Sequence, residues 1–149
     1  MMFCLPDIGQ TVHMYLCCAA CTYVCGLAAP SMVGYMKERA AREGLRNFTA
    51  VQGTATSTGF EAASLDAVGV VYAFSFFDER EAMLKSIHDS LKPGGLLLVV
   101  DLPSEQVDGR MAGIDAEELI ALAGAAGLTR ERENGVVPGH YALIFRKKA

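Results

Sequence analysis

The chain has 149 residues, 52% of them hydrophobic, and a net charge of −4 with its three histidines neutral. This length and apolar content argue against a disordered chain and for a single domain, residues 1–149, with a real core. The acidic balance leaves no electrostatic footprint for nucleic acid or an anionic membrane surface. The five cysteines all fall between Cys4 and Cys25. An odd, clustered set is not a disulfide framework and points to a reducing, cytoplasmic compartment.

No charged side chain occurs between Asp7 and Lys37. The run lacks a basic leader, is punctuated by Gly9, Gly26 and Pro30, and has its densest part, Met14 to Ala29, below the ~20 residues of a spanning helix. It reads as a buried helix and strand, with no membrane partner. Phe3-Cys4-Leu5 reads as the end of a strand, Pro6 to Gly9 as a loop, Thr11 to Ala20 as a helix and Thr22 to Leu27 as a buried strand. Ala28-Ala29-Pro30-Ser31 is a connector, with Pro30 favourable near the start of a helix over Met32 to Glu43 that has Met32, Val33, Met36 and Ala40 on one side, and Gly44 stops it. Asn47 to Val51 is a third strand, and Gln52 to Ser64 is a Gly/Ser/Thr-rich loop.

The organising stretch runs from Asp66 to Asp101. Two apolar runs, Asp66 to Phe74 and Leu96 to Asp101, flank a helix with Met83, Leu84, Ile87 and Leu91 on one stripe. Strands apolar on both faces belong in a parallel sheet covered on both sides. Asp78 and Glu81 are spaced as a capping box at the helix start, Lys92 sits at its negative end, and Pro93-Gly94-Gly95 stop it. Pro103 to Gly113 reads as a polar loop. Asp115 caps a helix bearing Leu119, Ile120 and Leu122, ended by Gly127. Leu128 to Glu133 and His140 to Arg146 then form a hairpin. The fold class is α/β: right-handed crossovers building a Rossmann-like, mostly parallel sheet, helices on both faces, and one antiparallel strand from the C-terminal hairpin.

Several segments in order resemble class I S-adenosylmethionine-dependent methyltransferases. They are Tyr23 to Val33, a helix with Lys37-Glu38-Arg39-Ala40, Gly44 to Gly53, Leu65-Asp66-Ala67-Val68, Leu91 to Gly95 with its strand to Asp101, and His140 to Arg146. The match runs from Val24 to the C-terminus and is nearest the small-molecule branch that includes the ubiquinone-biosynthesis and arsenite methyltransferases. The resemblance implies a seven-stranded sheet, S-adenosylmethionine as cofactor and a small-molecule substrate. It implies a cofactor site at the carboxyl ends of the first strands, where open α/β sheets bind ligands in any case. The positions so implicated are Asp7 and Gly9 in the first loop, Ala28 and Ala29 after the second strand, Thr54 and Ala55 after the third, and Tyr72 after the fourth.

The sequence departs from that pattern. Gln10-Thr11-Val12-His13 follow Gly9 without the family's further glycines. Ala28 stands where the family has an acid for the ribose hydroxyls, and Gly53-Thr54-Ala55 offer a hydroxyl where it often has one for the adenine. Each lost charge-assisted contact costs about 1.5–3 kcal/mol. At about 1.4 kcal/mol per tenfold, the two together turn micromolar binding into millimolar. The alternative function is therefore a catalytically inactive methyltransferase-like module for binding or for pairing as a homodimer.

Other groups carry less. Cys17, Cys18, Cys21 and Cys25 lack paired metal-ligand spacing and read as small buried hydrophobes, so no metal is expected. His13 follows the implied loop and is the one histidine in a site position, His88 is on a polar helix side, and His140 begins the last strand, where it reads as a loop histidine with a pH-sensitive or catalytic role as the alternative. Asp101 stands at a carboxyl end, Asp66 at the opposite one. Phe74 fits either a pocket lining or the core, and Phe77 fits the core. Methyl transfer needs mostly positioning and desolvation, so no catalytic residue is assigned.

Overall fold

The computed structural model describes residues 14–18, 22–27, 30–107, 110–134 and 139–149. In chain order they form β1 (Met14–Cys18), β2 (Thr22–Leu27), α1 (Pro30–Arg42), β3 (Phe48–Gln52) and β4 (Leu65–Val71). A 3-10 turn (Phe74–Phe76) leads to α2 (Arg80–Ser90) and β5 (Leu91–Asp101). A small hairpin, β6 (Glu105–Val107) and β7 (Arg110–Ala112), lies within the expected polar loop, before α3 (Ala116–Ala125), β8 (Leu128–Asn134) and β9 (Tyr141–Lys147).

Among the described residues, seven strands lie in the order β3-β2-β1-β4-β5-β9-β8. β2 is parallel to β3 and β4 to β5, while β1 is antiparallel to both β2 and β4, and β9 to both β5 and β8. Hence β2, β3, β4, β5 and β8 run one way, and β1 and β9 run against them. The α/β architecture is as expected, but the sheet is mixed and has two reversed strands instead of one. The helix expected over Thr11 to Ala20 is overturned where it is described, because residues 14–18 are β1. Met14-Tyr-Leu-Cys-Cys18 has no polar face to make an amphipathic helix, and a short, wholly apolar run suits a central strand equally well. Only residues 19–21 separate β1 from β2, whereas a parallel crossover needs a dozen or more, so the pair is antiparallel. The strand read over Phe3 to Leu5 lies outside the described residues.

Register decides which helix covers which face. Val33 and Met36 of α1 pack on Ala50 of β3. Ala50 lies in register with Cys25, Cys25 with Tyr15, and Tyr15 with Gly69. Gly69 alternates with Val68 and Val70, which belong to the other core, and alternation along a strand puts them on the opposite face. That core joins Val68, Val70, Leu97, Val99, Leu143 and Phe145 to Leu84 and Ile87 of α2 and Leu119 and Ala123 of α3. At about 25 cal/mol per Å² of apolar area, each such side chain contributes about 1.5–3 kcal/mol. The α1 side of the central strands is less closed: Ala67, Val71, Leu96, Leu98, Val100 and Ile144 are half-buried.

The helix ends differ from expectation. α2 starts after Glu79, and no side chain caps it, so the Asp78–Glu81 capping box is not made. Its last turn is held instead by Lys147 Nζ, which donates to the carbonyls of His88 (2.8 Å) and Leu91 (2.7 Å). Asp115 does occupy the position before α3, but its carboxylate makes no cap bond there and accepts from the Ser104 N–H (3.2 Å). The stop expected at Leu91 to Gly95 lies inside β5 as a bulge. Leu65 faces Leu91, Ala67 faces Leu96, and the extra residues loop out. Lys92 Nζ binds both Asp66 carboxylate oxygens at 2.9 Å across that bulge.

Among the described residues no helix is long and apolar enough to cross a membrane, and no group of three or more His, Cys, Asp or Glu side chains could hold a metal ion.

Candidate active site

The carboxyl ends of β2, β3, β4 and β5 share one edge, because Leu27 is in register with Gln52 and Val71 with Val100. The two reversed strands begin there: Met14 pairs with Gly26 and Val70, and Tyr141 pairs with Asp101. With strands about 4.8 Å apart, the tips of β3 and β4 stand about 14 Å from each other across β2 and β1, and those of β4 and β9 about 10 Å.

Tyr72 follows β4 at this edge. Its φ is +51°, a left-handed conformation that costs an ordinary residue about 1–2 kcal/mol. Its N–H donates to the Val100 carbonyl (2.8 Å), which ties the strained turn to the neighbouring strand. The residue is 46% exposed, and its ring meets the His140 ring edge-on, with centroids 5.2 Å apart at 67°. The turn then buries Ala73 and Phe74 completely. Phe74 packs edge-on against Phe77 at 5.4 Å, so both are core residues, whereas Phe76 is 60% exposed.

Asp101 ends β5 and is buried. One carboxylate oxygen accepts from the Ser75 N–H (3.1 Å) and the other from the Leu102 N–H (2.8 Å). These charge-assisted bonds pin the turn after β4 to the end of β5. The carboxylate is thus a brace for the edge. Beside it, the buried Tyr141 hydroxyl donates to the Ile114 carbonyl (2.8 Å). Burial first, then the negative charges of Asp101, Asp115 and Glu118, push this phenol well above its ordinary value, so it stays protonated. Gly113 closes the same connection with φ +75°; a Cβ there would come within 2.4 Å of the Leu102 carbonyl oxygen and 2.5 Å of that of Pro103.

After β3, Gly53 is buried, and Thr54 and Ala55 are exposed. The Thr54 N–H donates to the Ser57 carbonyl (2.8 Å), and its hydroxyl accepts from the Thr56 N–H (3.3 Å). The loop is anchored on α2 through the buried Thr58 hydroxyl, which lies 3.2 Å from that of Ser86 and 3.0 Å from that of Ser90. A shallow groove of about 370 Å³ runs beside this anchor, lined by Phe60, Lys85, Ser86 and Asp89 among others, and includes none of the predicted site residues. His88, then Lys85, hydrogen-bond Asp89 there and hold its carboxyl below its usual value.

Of the sequence-predicted positions, Thr54, Ala55 and Tyr72 lie at the tips of β3 and β4. Asp7, Gly9, Ala28 and Ala29 lie outside the described residues, as does Cys21 of the cysteine cluster. The contact missed from sequence is His140 against Tyr72. The signal was present: a last strand running backwards must begin at the carboxyl edge.

A family profile described as a methyltransferase domain matches residues 7–99. The chain belongs to the methyltransferase domain family. A search of curated protein sequences found no match. Among solved structures, this methyltransferase domain is similar to the [4+2]-cyclase SpnF, with 17% identity and a TM-score of 0.72 over 85% of this chain and 65% of that one. It is similar to a SAM-dependent methyltransferase from Aquifex aeolicus, with 18% identity and a TM-score of 0.70 over 80% of this chain and 65% of that one. A third, from Methanosarcina mazei and also described as SAM-dependent, has 15% identity and a TM-score of 0.63 over 81% of this chain and 79% of that one. These likenesses establish the Rossmann-like methyltransferase fold. The chain spans about two thirds of the length of the first two. That a cyclase shares the fold means the architecture alone does not name the reaction.

Proposed function

We propose that the domain binds S-adenosylmethionine at the carboxyl edge and transfers its methyl group to a small molecule, in the manner of the small-molecule branch of the family. The supporting observation is the shared edge of four co-directional strands in a chain whose family profile spans 7–99. The described residues fit the nucleoside end of such a cofactor. Thr54 brings a hydroxyl to one side of the ~14 Å between the tips, and Tyr72 brings an exposed ring to the other. Asp101 is held at this edge by two backbone N–H groups, one on each carboxylate oxygen.

In this reading Thr54 and Ala55 border the adenine, Tyr72 covers the nucleoside, Ala28 and Ala29 border the ribose, and Asp7 and Gly9 border the amino-acid tail. When bound, the cofactor supplies an electrophilic methyl group. The chain's own residues orient the acceptor and exclude water, which suffices for an in-line transfer. With Ala28 and Thr54 in place of acids, binding is weak, near millimolar.

The test is calorimetric titration with S-adenosylhomocysteine. Weak heat that strengthens at least tenfold in Ala28→Asp with Thr54→Asp is expected. No heat at millimolar ligand in either protein would overturn the reading. That result would favour the second one, an inactive module, for which the reversed β1 is the motivating observation. β1 runs against both of its neighbours, β2 and β4.

A further inference from the structure

The two edges of the sheet are built differently. β8 closes one side with Leu128-Thr-Arg-Glu-Arg-Glu-Asn134, four charged residues in succession, and its register with β9 shifts between Arg130 and Arg132. Charges and a bulge protect an edge strand against the addition of another strand. β3 closes the other side with Phe48-Thr-Ala-Val-Gln52, which has neither charge nor proline. All five residues keep unbroken register with β2. Among the described residues no strand lies beyond β3.

An edge strand turns a row of N–H and C=O groups outward, and a neutral, regular one is a template for a further strand. The faces of β3 are engaged. α1 covers Ala50 on one side. On the other the returning loop reaches Val51, where a Cβ on Gly59 would lie 3.1 Å from its side chain. Thr49, between them, is exposed. What β3 still offers is its rim.

We infer that β3 pairs edge to edge with β3 of a second copy of this chain, antiparallel about a two-fold axis at Ala50, which joins two seven-stranded sheets into one. The register is self-complementary. Across the axis Thr49 faces Val51, a β-branched pair, Ala50 faces Ala50, and Phe48 faces Gln52. No residue from Gly44 to Phe60 is acidic, and Arg46 is the one charge among them. Two chains of net charge −4 therefore meet where neither carries a carboxylate. Five paired residues bury far less than the roughly 800 Å² per partner of a standard interface, so the association is weak and follows concentration. It uses the side of the sheet and holds whether or not the cofactor binds at the strand tips.

The experiment is sedimentation equilibrium of the full chain from about 5 to about 500 µM, a range that spans weak association. The weight-average mass should rise from 15.9 kDa toward twice that value. Thr49→Lys sets an ammonium at an exposed position of β3, and Thr129→Lys sets the same group at an exposed position of β8. Thr49→Lys should weaken association at least about tenfold, and Thr129→Lys should leave it within about twofold. Amide exchange of the wild type gives a reading that needs no variant: protection within Phe48 to Gln52 should grow with concentration. A mass that stays at 15.9 kDa throughout, an equal response to the two lysines, or β3 protection that ignores concentration overturns the inference. S-adenosylhomocysteine should give the same heat with Thr49→Lys as with the wild type. Association without cofactor heat removes the methyl-transfer reading alone, and cofactor heat without association removes the pairing alone.

Discussion

Tyr141→Phe separates a hydrogen bond from a charge effect at one atom. The ring stays buried, and the lost group is the hydroxyl that donates to the Ile114 carbonyl at 2.8 Å. At pH 7 the variant should be less stable by about 1 kcal/mol, the net worth of a buried neutral hydrogen bond. Alkali should reverse the order. The folded phenol titrates well above its ordinary value, chiefly through burial, so its contribution is complete below about pH 10 and is lost as pH rises toward the folded value. At pH 11 ionisation favours the unfolded wild type by about 1.4 kcal/mol, which the phenylalanine variant does not experience. The stability difference should therefore pass from about +1 kcal/mol at pH 7 to roughly −0.4 kcal/mol at pH 11. Urea denaturation of both proteins at pH 7, 9, 10 and 11 measures it, and the exposed Tyr35 and Tyr72 cancel between them. A gap that stays constant across this range would refute the claim that the hydroxyl is held away from water beside negative charge.

Asp101→Asn keeps the shape but replaces one acceptor by a donor facing an N–H. The cost should be about 2 kcal/mol, seen as a Tm lower by roughly 4–8 °C; a Tm within 1 °C of wild type would mean the brace contributes nothing. Gly113→Ala puts a Cβ against two carbonyl oxygens at a left-handed φ and should destabilise by more than about 2 kcal/mol in urea. Gly34→Ala in the exposed α1 surface, where the new Cβ meets nothing within 4 Å, should stabilise by about 0.5–1 kcal/mol. Equal effects of the two alanines would contradict the packing argument.

The sequence by itself determined the main elements from Pro30 onward, the β6–β7 hairpin excepted, because their signals are local. Val33 and Met36 recur at helical spacing, Met83, Leu84 and Ile87 mark a second helix, and Leu96 to Asp101 form an apolar run too short for a helix. The resemblance to the family, and not any local pattern, implicated Thr54 and Tyr72 as positions after the third and fourth strands. Only the tertiary structure decided the direction of β1. Five apolar residues carry no periodicity that separates strand from helix, and the short link to β2 then dictates an antiparallel pair. The tertiary structure likewise decided the partners of polar groups: Asp115 serves Ser104 and not its own helix, and Lys147 caps α2 from 56 and 59 residues away. The pairing of Tyr72 with His140, 68 positions apart, depends on β9 inserting beside β5 in reverse; the C-terminal hairpin signals the reversal, but the choice of β5 as neighbour is long-range and is made by the sheet collectively.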